Sequence, residues 1–263
     1  MLTTILIYLV TGLVAGLMAG LFGVGGGMIM VPALALVLAA QGVAVGITMQ
    51  VAIATSLAVI SATSISSMHR HHQLNGVLWP VFRAMAPGLA VGALAGAFVA
   101  DVLPSRTLAQ IVGVGALLTA LQMWLDLKPK AHTPLPGNGG LAAAGGVIGL
   151  LSSLIGIGGG SLTVPFLSGC SVPIRHAVGT AAACGVPIAW AGALGFMIAG
   201  LGEPGRTAWS VGYVDLAGFA GIALASVPAA RLGATLAHRL SPRMLKRSFA
   251  VLLTLIGIQM LLG

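Results

Sequence analysis

Long apolar segments, separated by short polar or Gly/Pro-rich stretches, dominate the pattern of the chain. Residues 1–68 contain no Asp, Glu, Lys or Arg, and neither do residues 133–174 or 177–202. Each of these uncharged stretches is longer than the roughly 20 residues that a helix needs to cross a bilayer. The pattern therefore predicts an all-α integral membrane protein.

Charges, glycines and prolines divide these stretches into apolar segments, five in each half of the chain. A polar, Pro/Gly-rich linker at 126–140 separates a first membrane repeat at 1–125 from a second at 141–263. The predicted segments are 3–22, 24–38, 45–68, 77–100, 107–125, 141–155, 158–169, 174–200, 210–235 and 244–263. We expect the segments next to the glycine-rich stretches to be short or re-entrant helices.

The two halves share a glycine-rich motif. The sequence GVGGGMIMVP at 23–32 parallels GIGGGSLTVP at 156–165, at an offset of 133 residues (156 − 23). In each half a threonine follows on the next long segment, as Thr55 and Thr180. These matches indicate an internal duplication. An odd number of segments in each half then predicts two inverted repeats, as in many transporters.

The charges predict the orientation of the chain. The protein has a net charge of +8 but only 6% charged residues, against roughly a quarter in an ordinary soluble domain. Its basic residues lie at the ends of apolar segments, which indicates cytoplasmic loops rather than a surface that binds nucleic acid. The loops predicted to be cytoplasmic are those at 69–72, 126–140, around Arg175 and at 239–247. We expect a multi-pass protein of the bacterial inner membrane with both termini outside.

The glycine runs predict breaks in the membrane helices. Glycine allows positive φ angles and close approach of a ligand, and a helix that restarts after it offers free N–H groups and a positive dipole end. Such a site suits a small oxyanion, although glycines also simply allow helices to pack closely. Two matched runs favour the first interpretation. The predicted substrate-binding glycines are Gly25, Gly26, Gly27, Gly158, Gly159 and Gly160.

Four polar side chains are further candidates for binding the substrate. Thr55 lies about ten residues into its segment, close to the middle of the membrane, and Thr180 is its repeat partner. The hydroxyls of Thr55, Ser56 and Thr180 could donate to an anion or bond back to their own helices. The second half has Ala181 where the first has Ser56, so the hydroxyl pair is not symmetric. Arg83, alone in an uncharged segment, either binds the anion from the cytoplasmic side or extends to the membrane surface.

The sequence offers little for other chemistry. Asp215 is the only carboxylate inside a predicted segment and lies near its outer end, so proton coupling has little to work with. The histidines at 69–72 lack Cys or carboxylate companions, which argues against a metal site. No GxSxG, HExxH or intramembrane carboxylate pair is present. We therefore expect no enzyme, no catalytic residue and no cofactor, with a membrane-embedded enzyme or a non-transporting membrane protein as the alternatives.

The paired glycine runs, each followed by a Pro and then by a Thr-bearing helix, resemble the TauE/SafE (sulfite exporter) family over essentially the whole chain. The resemblance implies export of a small sulfur-containing anion, such as sulfite or a sulfonate, with export or import of another small anion as the alternative. A cytoplasm-negative potential would drive an anion out by about 2.3 kcal/mol per charge per 100 mV. The expected partners are this inorganic or organosulfur anion and the lipid bilayer. A second copy of the chain, in a homo-oligomer, is a further possible partner.

Overall fold

The structure of the protein is a computed structural model, which describes residues 2–22, 26–125, 134–237 and 242–262. The side chains at 2–5, 18–22, 230–231, 233–237 and 242–246 are not described. Lys128 and Lys130, and therefore most of the predicted linker, lie outside the described residues.

The described residues form ten helices and one short hairpin. Each predicted apolar segment corresponds to one helix, in the predicted order, so the all-α prediction is confirmed. The helices are α1 (Leu2–Phe22), α2 (Gly27–Ala40), α3 (Thr48–Gln73), α4 (Trp79–Val102), α5 (Ser105–Trp124), α6 (Asn138–Ile155), α7 (Gly160–Gly169), α8 (Ile174–Ala199), α9 (Leu216–Ala237) and α10 (Pro242–Leu262), and the strands are β1 (Ser210–Val211) and β2 (Val214–Asp215).

Five helices in the described part of the chain are long and apolar enough to cross a membrane, namely α3, α4, α5, α6 and α8. Large apolar side chains on the outside of the bundle, such as Val91, Leu118 and Leu224, are mostly exposed. Such an apolar exterior is the surface that lipid requires. In contrast, α2 has 14 residues and α7 only 10, which is too short for a full crossing of about 20 residues. The chain is a multi-pass membrane protein with two short internal helices.

Small residues allow the helices to pack backbone against backbone. In the pair α4–α6, Gly92 lies directly against the backbone of Gly146. In the pair α1–α9, Gly16 lies directly against the backbone of Ser226. Such contacts are typical of membrane bundles, where close approach of the backbones supplies the attraction between helices. The helices α3 and α8 pack against each other and are more buried than α4, α5 and α6, so they form the centre of the bundle.

Two local expectations are wrong. The residues at 69–72 do not form a loop but the last turn of α3, where basic side chains interact favourably with the negative end of the helix dipole. Residues 210–215 do not start a helix. They form an antiparallel hairpin in which Ser210 pairs with Asp215, and a positive φ of 56° at Gly212 makes the tight turn.

The loops form two groups, one at each end of the bundle. The hairpin end comprises residues 41–47, 103–104 and 200–215, and there the N–H of Ala44 donates to the carbonyl of Gly205 over 3.3 Å. The histidine end comprises residues 69–78 and 170–176, and there the guanidinium of Arg175 donates to the carbonyl of Leu74 over 2.6 Å. Between the two ends runs α3, whose 26 residues span about 39 Å.

Candidate functional site

The second glycine run separates α6 from α7 along the chain. In space it lies between the two central helices, α3 and α8. The helix α6 ends at Ile155 and is followed by Gly156, which has a left-handed φ of 73°. A Cβ on Gly156 would lie 3.3 Å from Ile53 Cα in α3, and one on Gly159 would lie 2.9 Å from Gly185 N in α8. The break is buried and leaves no space for side chains at these two glycines. The predicted discontinuous helix is therefore present in the second half.

The first glycine run also ends in a break. Gly26 precedes α2 with a left-handed φ of 62°, a conformation that costs glycine little and other residues considerably more. Its carbonyl accepts the N–H groups of Ile29 over 3.1 Å and Met30 over 2.9 Å, which starts the helix. Gly25 lies outside the described residues.

The two glycine breaks touch each other. A Cβ on Gly27 would lie 2.5 Å from the carbonyl oxygen of Gly156 and 2.9 Å from Ile157 Cα. The fully buried hydroxyl of Ser56 donates to the same carbonyl oxygen over 3.0 Å. Gly158 lies beside them, since a Cβ there would be 3.3 Å from Ile60 Cγ2 of α3. The structure thus brings together predicted site residues from both halves of the chain.

The two breaks are not copies of each other. Gly26 and Gly159 occupy equivalent positions at the offset of 133 residues, but their φ angles are 62° and −58°. In the first half a left-handed glycine comes directly before the restarting helix. In the second half a left-handed glycine, Gly156, ends the preceding helix, and Gly160 begins α7 after three more residues. The contact between the breaks is therefore asymmetric.

Buried hydroxyls without partners flank the second break. The oxygens of Ser152, Ser153, Ser161 and Thr163 are buried and have no hydrogen-bond partner among the described residues. Leaving a buried hydroxyl unpaired costs about 1–3 kcal/mol, so four of them at one break indicate a place suited to a polar ligand. The positions equivalent to Ser161 and Thr163 in the first half are Met28 and Met30. This difference in polarity between the two motifs is the sequence feature that points to these hydroxyls, and the glycine pattern alone does not reveal it.

The threonines Thr55 and Thr180 hold the starts of other helices. The hydroxyl oxygen of Thr55 accepts the N–H of Asp215, directly before α9, over 3.0 Å. The hydroxyl oxygen of Thr180 accepts the N–H of Leu78, directly before α4, over 2.9 Å. Asp215 and Leu78 are 137 residues apart (215 − 78). The hydrogen bonds of both threonines therefore position helices and lie apart from the contact between the glycine breaks.

The structure does not bring Arg83 to the glycine breaks. Its side chain is exposed in the first turns of α4, close to the histidine end. A cavity of about 300 Å³ also opens at this end, lined by His71, Leu74, Gly76, Ile174, Arg175 and Val178. These cationic side chains therefore lie at the histidine end and not beside the glycine breaks.

The chain resembles known membrane proteins over nearly its whole length. The family described as Sulfite exporter TauE/SafE matches residues 8–260. A "Probable membrane transporter protein" of Haemophilus influenzae is 36% identical over 269 residues, covering 100% of both chains. Proteins with the same description from Methanocaldococcus jannaschii and Bacillus subtilis are 26% and 29% identical, over 97% of this chain and 94% and 96% of their own. No solved structure matches.

Proposed function

The chain belongs to the TauE/SafE family of membrane transporters, and on this premise we propose that it exports a small sulfur-containing anion, such as sulfite or a sulfonate. Its relatives are described as transporters and not as enzymes, in agreement with the missing catalytic motifs. The family description suggests the class of substrate. The cytoplasm-negative membrane potential favours the outward direction for any anion.

The observation that carries this proposal is the contact of the two glycine breaks beside unpaired hydroxyls. The N–H groups of Gly160, Ser161 and Leu162 begin α7 and have no acceptor within the helix. Together with the hydroxyls of Ser161 and Thr163, they are hydrogen-bond donors near the positive end of a helix dipole. Donors without neighbouring carboxylates suit an anion rather than a cation.

We assign the predicted site residues different roles. The glycines 25–27 and 158–160 give the anion access to the backbone. Ser56 covers the carbonyl oxygen of Gly156, whose partial negative charge would otherwise repel the anion. Thr55 and Thr180 support the site by fixing the starts of α9 and α4. Arg83 and the cavity beside Arg175 attract the anion at the histidine end.

We further propose that the repeats at 1–125 and 141–263 are inverted in the bacterial inner membrane, with the linker inside and both termini outside. The packing supports this arrangement, because α1 packs against α9 as α6 packs against α4. Each of these pairs joins the first helix of one half to the fourth helix of the other. The basic residues Arg70 and Arg175 support a cytoplasmic location of the histidine end.

Transport by purified protein in liposomes tests the proposed function. We expect uptake or release of at least one anion from a panel of sulfite, sulfate, thiosulfate and short organosulfonates, faster than through protein-free liposomes. Movement of none of them would contradict the proposal and leave a non-transporting membrane protein. Faster movement of a sulfur-free anion such as chloride, assayed beside the panel, would change the assigned substrate but not the class of function.

The variant Thr163→Val tests the site itself. Because the hydroxyl of Thr163 is buried and unpaired, its removal should not lower stability. It should weaken anion transport by roughly tenfold, the value of about one hydrogen bond to a charged group. The matched control is Thr119→Val, whose hydroxyl bonds to Gly115 within its own helix over 2.9 Å. Equal transport by both variants would remove Thr163 from the site.

A further inference from the structure

A carboxylate lies buried at the hairpin end. Asp215 is only 1% exposed. Its Oδ2 accepts the phenol of Tyr8 over 2.6 Å and the N–H of Gly218 over 2.8 Å, and its Oδ1 accepts the hydroxyl of Thr207 over 2.7 Å. The sequence placed Asp215 near the end of a segment and gave it no role. The structure instead shows a buried carboxylate bonded to the first helix of the other half.

No cation in the described part of the chain forms an ion pair with Asp215. In the adjacent loop, the guanidinium of Arg206 donates to the carbonyl oxygen of Glu203 over 2.6 Å. The phenol of Tyr213 donates to a different carboxylate, that of Asp101, over 2.7 Å. Burial, together with this hydrogen bond, raises the pKa of Tyr213, so its phenol stays protonated. Within the described part of the chain, the carboxylate of Asp215 is therefore held by hydrogen bonds and not by an ion pair.

The helices packed around this site add no charge. The only titratable side chain of α1 is Tyr8, α2 is followed by Gln41, and α3 contributes the hydroxyl of Thr55. In α8 and α9, residues 177–199 and 216–230 contain no Asp, Glu, Lys, Arg or His. An ionisable group in such a place within a membrane protein is costly and usually functional.

The phenol of Tyr8 lies within hydrogen-bond distance of two acceptor oxygens. Its Oη lies 2.6 Å from Asp215 Oδ2 and 3.0 Å from Gln41 Oε1, but a phenol has one proton to donate. If Asp215 is protonated, it donates to Tyr8 and Tyr8 donates to Gln41. If Asp215 is ionised, Tyr8 donates to it, and the amide of Gln41 must turn so that Nε2 donates to Tyr8. In the orientation observed, Nε2 is buried without a partner.

We propose that Asp215, Tyr8 and Gln41 form a proton-binding site that couples proton movement to anion transport. A hydronium ion from water at the hairpin end gives its proton to Asp215 Oδ2, and one O–H bond forms there. The hydroxyl of Tyr8 then donates its hydrogen bond to Gln41 Oε1 instead of to Asp215 Oδ2. Release of the proton from Asp215 to water reverses both changes. The inference rests on the proposed transport function.

Two connections link this site to the glycine breaks. Gln41 directly follows α2, and Gly26 directly precedes it, so the amide and one glycine break lie at opposite ends of a single helix. In α3, Thr55 accepts the N–H of Asp215 while its neighbour Ser56 donates to Gly156. A change in the protonation of Asp215 therefore acts on both elements that hold the breaks together.

The test uses liposomes with a pH-sensitive dye inside and the membrane potential clamped at zero by potassium and valinomycin. Thiosulfate and methanesulfonate serve as probes because neither takes up a proton near neutral pH. We expect each transported anion to change the internal pH, and a pH gradient to drive its net movement. Anion movement without a dye response would overturn the coupling but leave the transport function intact. Movement of no anion, neither these two probes nor the rest of the panel above, would overturn the transport function.

Variants of the site distinguish coupling from structure. Asp215→Asn should lose pH-driven net movement, down to the level of protein-free liposomes, while exchange of internal for external anion continues. Tyr8→Phe should lower pH-driven movement by about tenfold. Tyr213→Phe, which removes a phenol from another carboxylate, is the matched control and should keep the pH response. A folded Asp215→Asn protein that keeps this response, or that loses exchange as well, contradicts the proposal. If that variant does not fold, an unchanged pH response in Tyr8→Phe contradicts it.

Discussion

Hydroxyl groups serve two separate purposes at the scale of single residues. Those of Thr55 and Thr180 accept backbone N–H groups at the starts of α9 and α4. The buried hydroxyls of Ser152 and Thr163 have no partner in the described part of the chain. The first pair contributes to folding, and the second is available to a ligand. Substitutions at the two kinds of position should therefore change different measurements.

Thr55→Val and Thr180→Val should each destabilise the protein by about 1–3 kcal/mol, since a buried N–H group loses its acceptor. Thermal unfolding of the purified protein in detergent, followed by circular dichroism, measures the change. The control is Thr254→Val, because that hydroxyl bonds to Ala250 in its own helix over 2.8 Å. A control as unstable as the other two variants would show that the bonds to Asp215 and Leu78 contribute nothing specific.

Arg83→Gln should reduce anion transport without lowering the amount of folded protein if, as we propose, the exposed guanidinium attracts the anion at the histidine end. The initial rate of transport at low anion concentration is the measurement. Arg106→Gln provides the comparison, since Arg106 is also exposed and lies in the first turn of α5, at the hairpin end. Equal rates in both variants would assign Arg83 to the membrane surface.

Asp215 shows what could not be read from the chain at this scale. Its position in an apolar segment was visible, but its partner Tyr8 is 207 residues away. Charge and hydropathy patterns describe neighbours in sequence and do not identify contacts between halves. The same limit applies to Thr55, whose partner is 160 residues away. The candidate glycines were found because the repeat itself marks them.

At the scale of elements, apolar length and Gly/Pro punctuation predicted each helix in the described part of the chain. For example, the predicted segment 174–200 corresponds to α8, Ile174–Ala199. The hairpin at 210–215 was missed because two-residue strands leave no periodic pattern. The different shapes of the glycine breaks were also unpredictable. Identical GxGGG spacing specifies freedom of φ, whereas the neighbours in space decide which glycine becomes left-handed.

The glycine breaks should respond to alanine according to their neighbours. A Cβ on Gly27 would lie 2.5 Å from a backbone oxygen, and one on Gly159 2.9 Å from a backbone nitrogen. Gly27→Ala and Gly159→Ala should each cost about 1–3 kcal/mol of stability and abolish anion transport. At Gly26, where φ is positive, valine should be worse than alanine. Liposome transport and thermal unfolding measure both effects.

Gly158→Ala is the control within the same run. Its Cβ would meet only Ile60 Cγ2, at 3.3 Å, and a side-chain methyl group can move where a backbone cannot. We therefore expect a smaller loss of stability than at Gly27 or Gly159. Equal sensitivity at all three positions would mean that the runs require flexibility in general rather than the specific contact between the breaks.

At the scale of the whole molecule, the halves are related through their packing. The pairs α1–α9 and α6–α4 exchange equivalent helices between the halves, whereas α3–α8 and α5–α10 each join equivalent helices. A two-fold relation between the halves produces this set of contacts. The histidine end carries Arg70 and Arg175 from different halves, as a cytoplasmic surface would require. The packing therefore supports a two-fold relation between the halves, and the charges support one orientation of the chain.

Cysteine labelling in intact cells tests that orientation. In a chain without Cys170 and Cys184, single cysteines replace Asn138, at the start of α6, and Leu262, at the end of α10; both positions are exposed. An odd number of crossings lies between them if the repeats are inverted, so the two must lie on opposite sides. We expect a membrane-impermeant maleimide to label position 262 but not 138. Val45, 86% exposed at the hairpin end, which lies outside in the proposed orientation, is the control that should label in intact cells. Labelling of positions 138 and 262 from the same side would exclude inverted repeats, because no odd number of crossings can separate two residues that share a compartment.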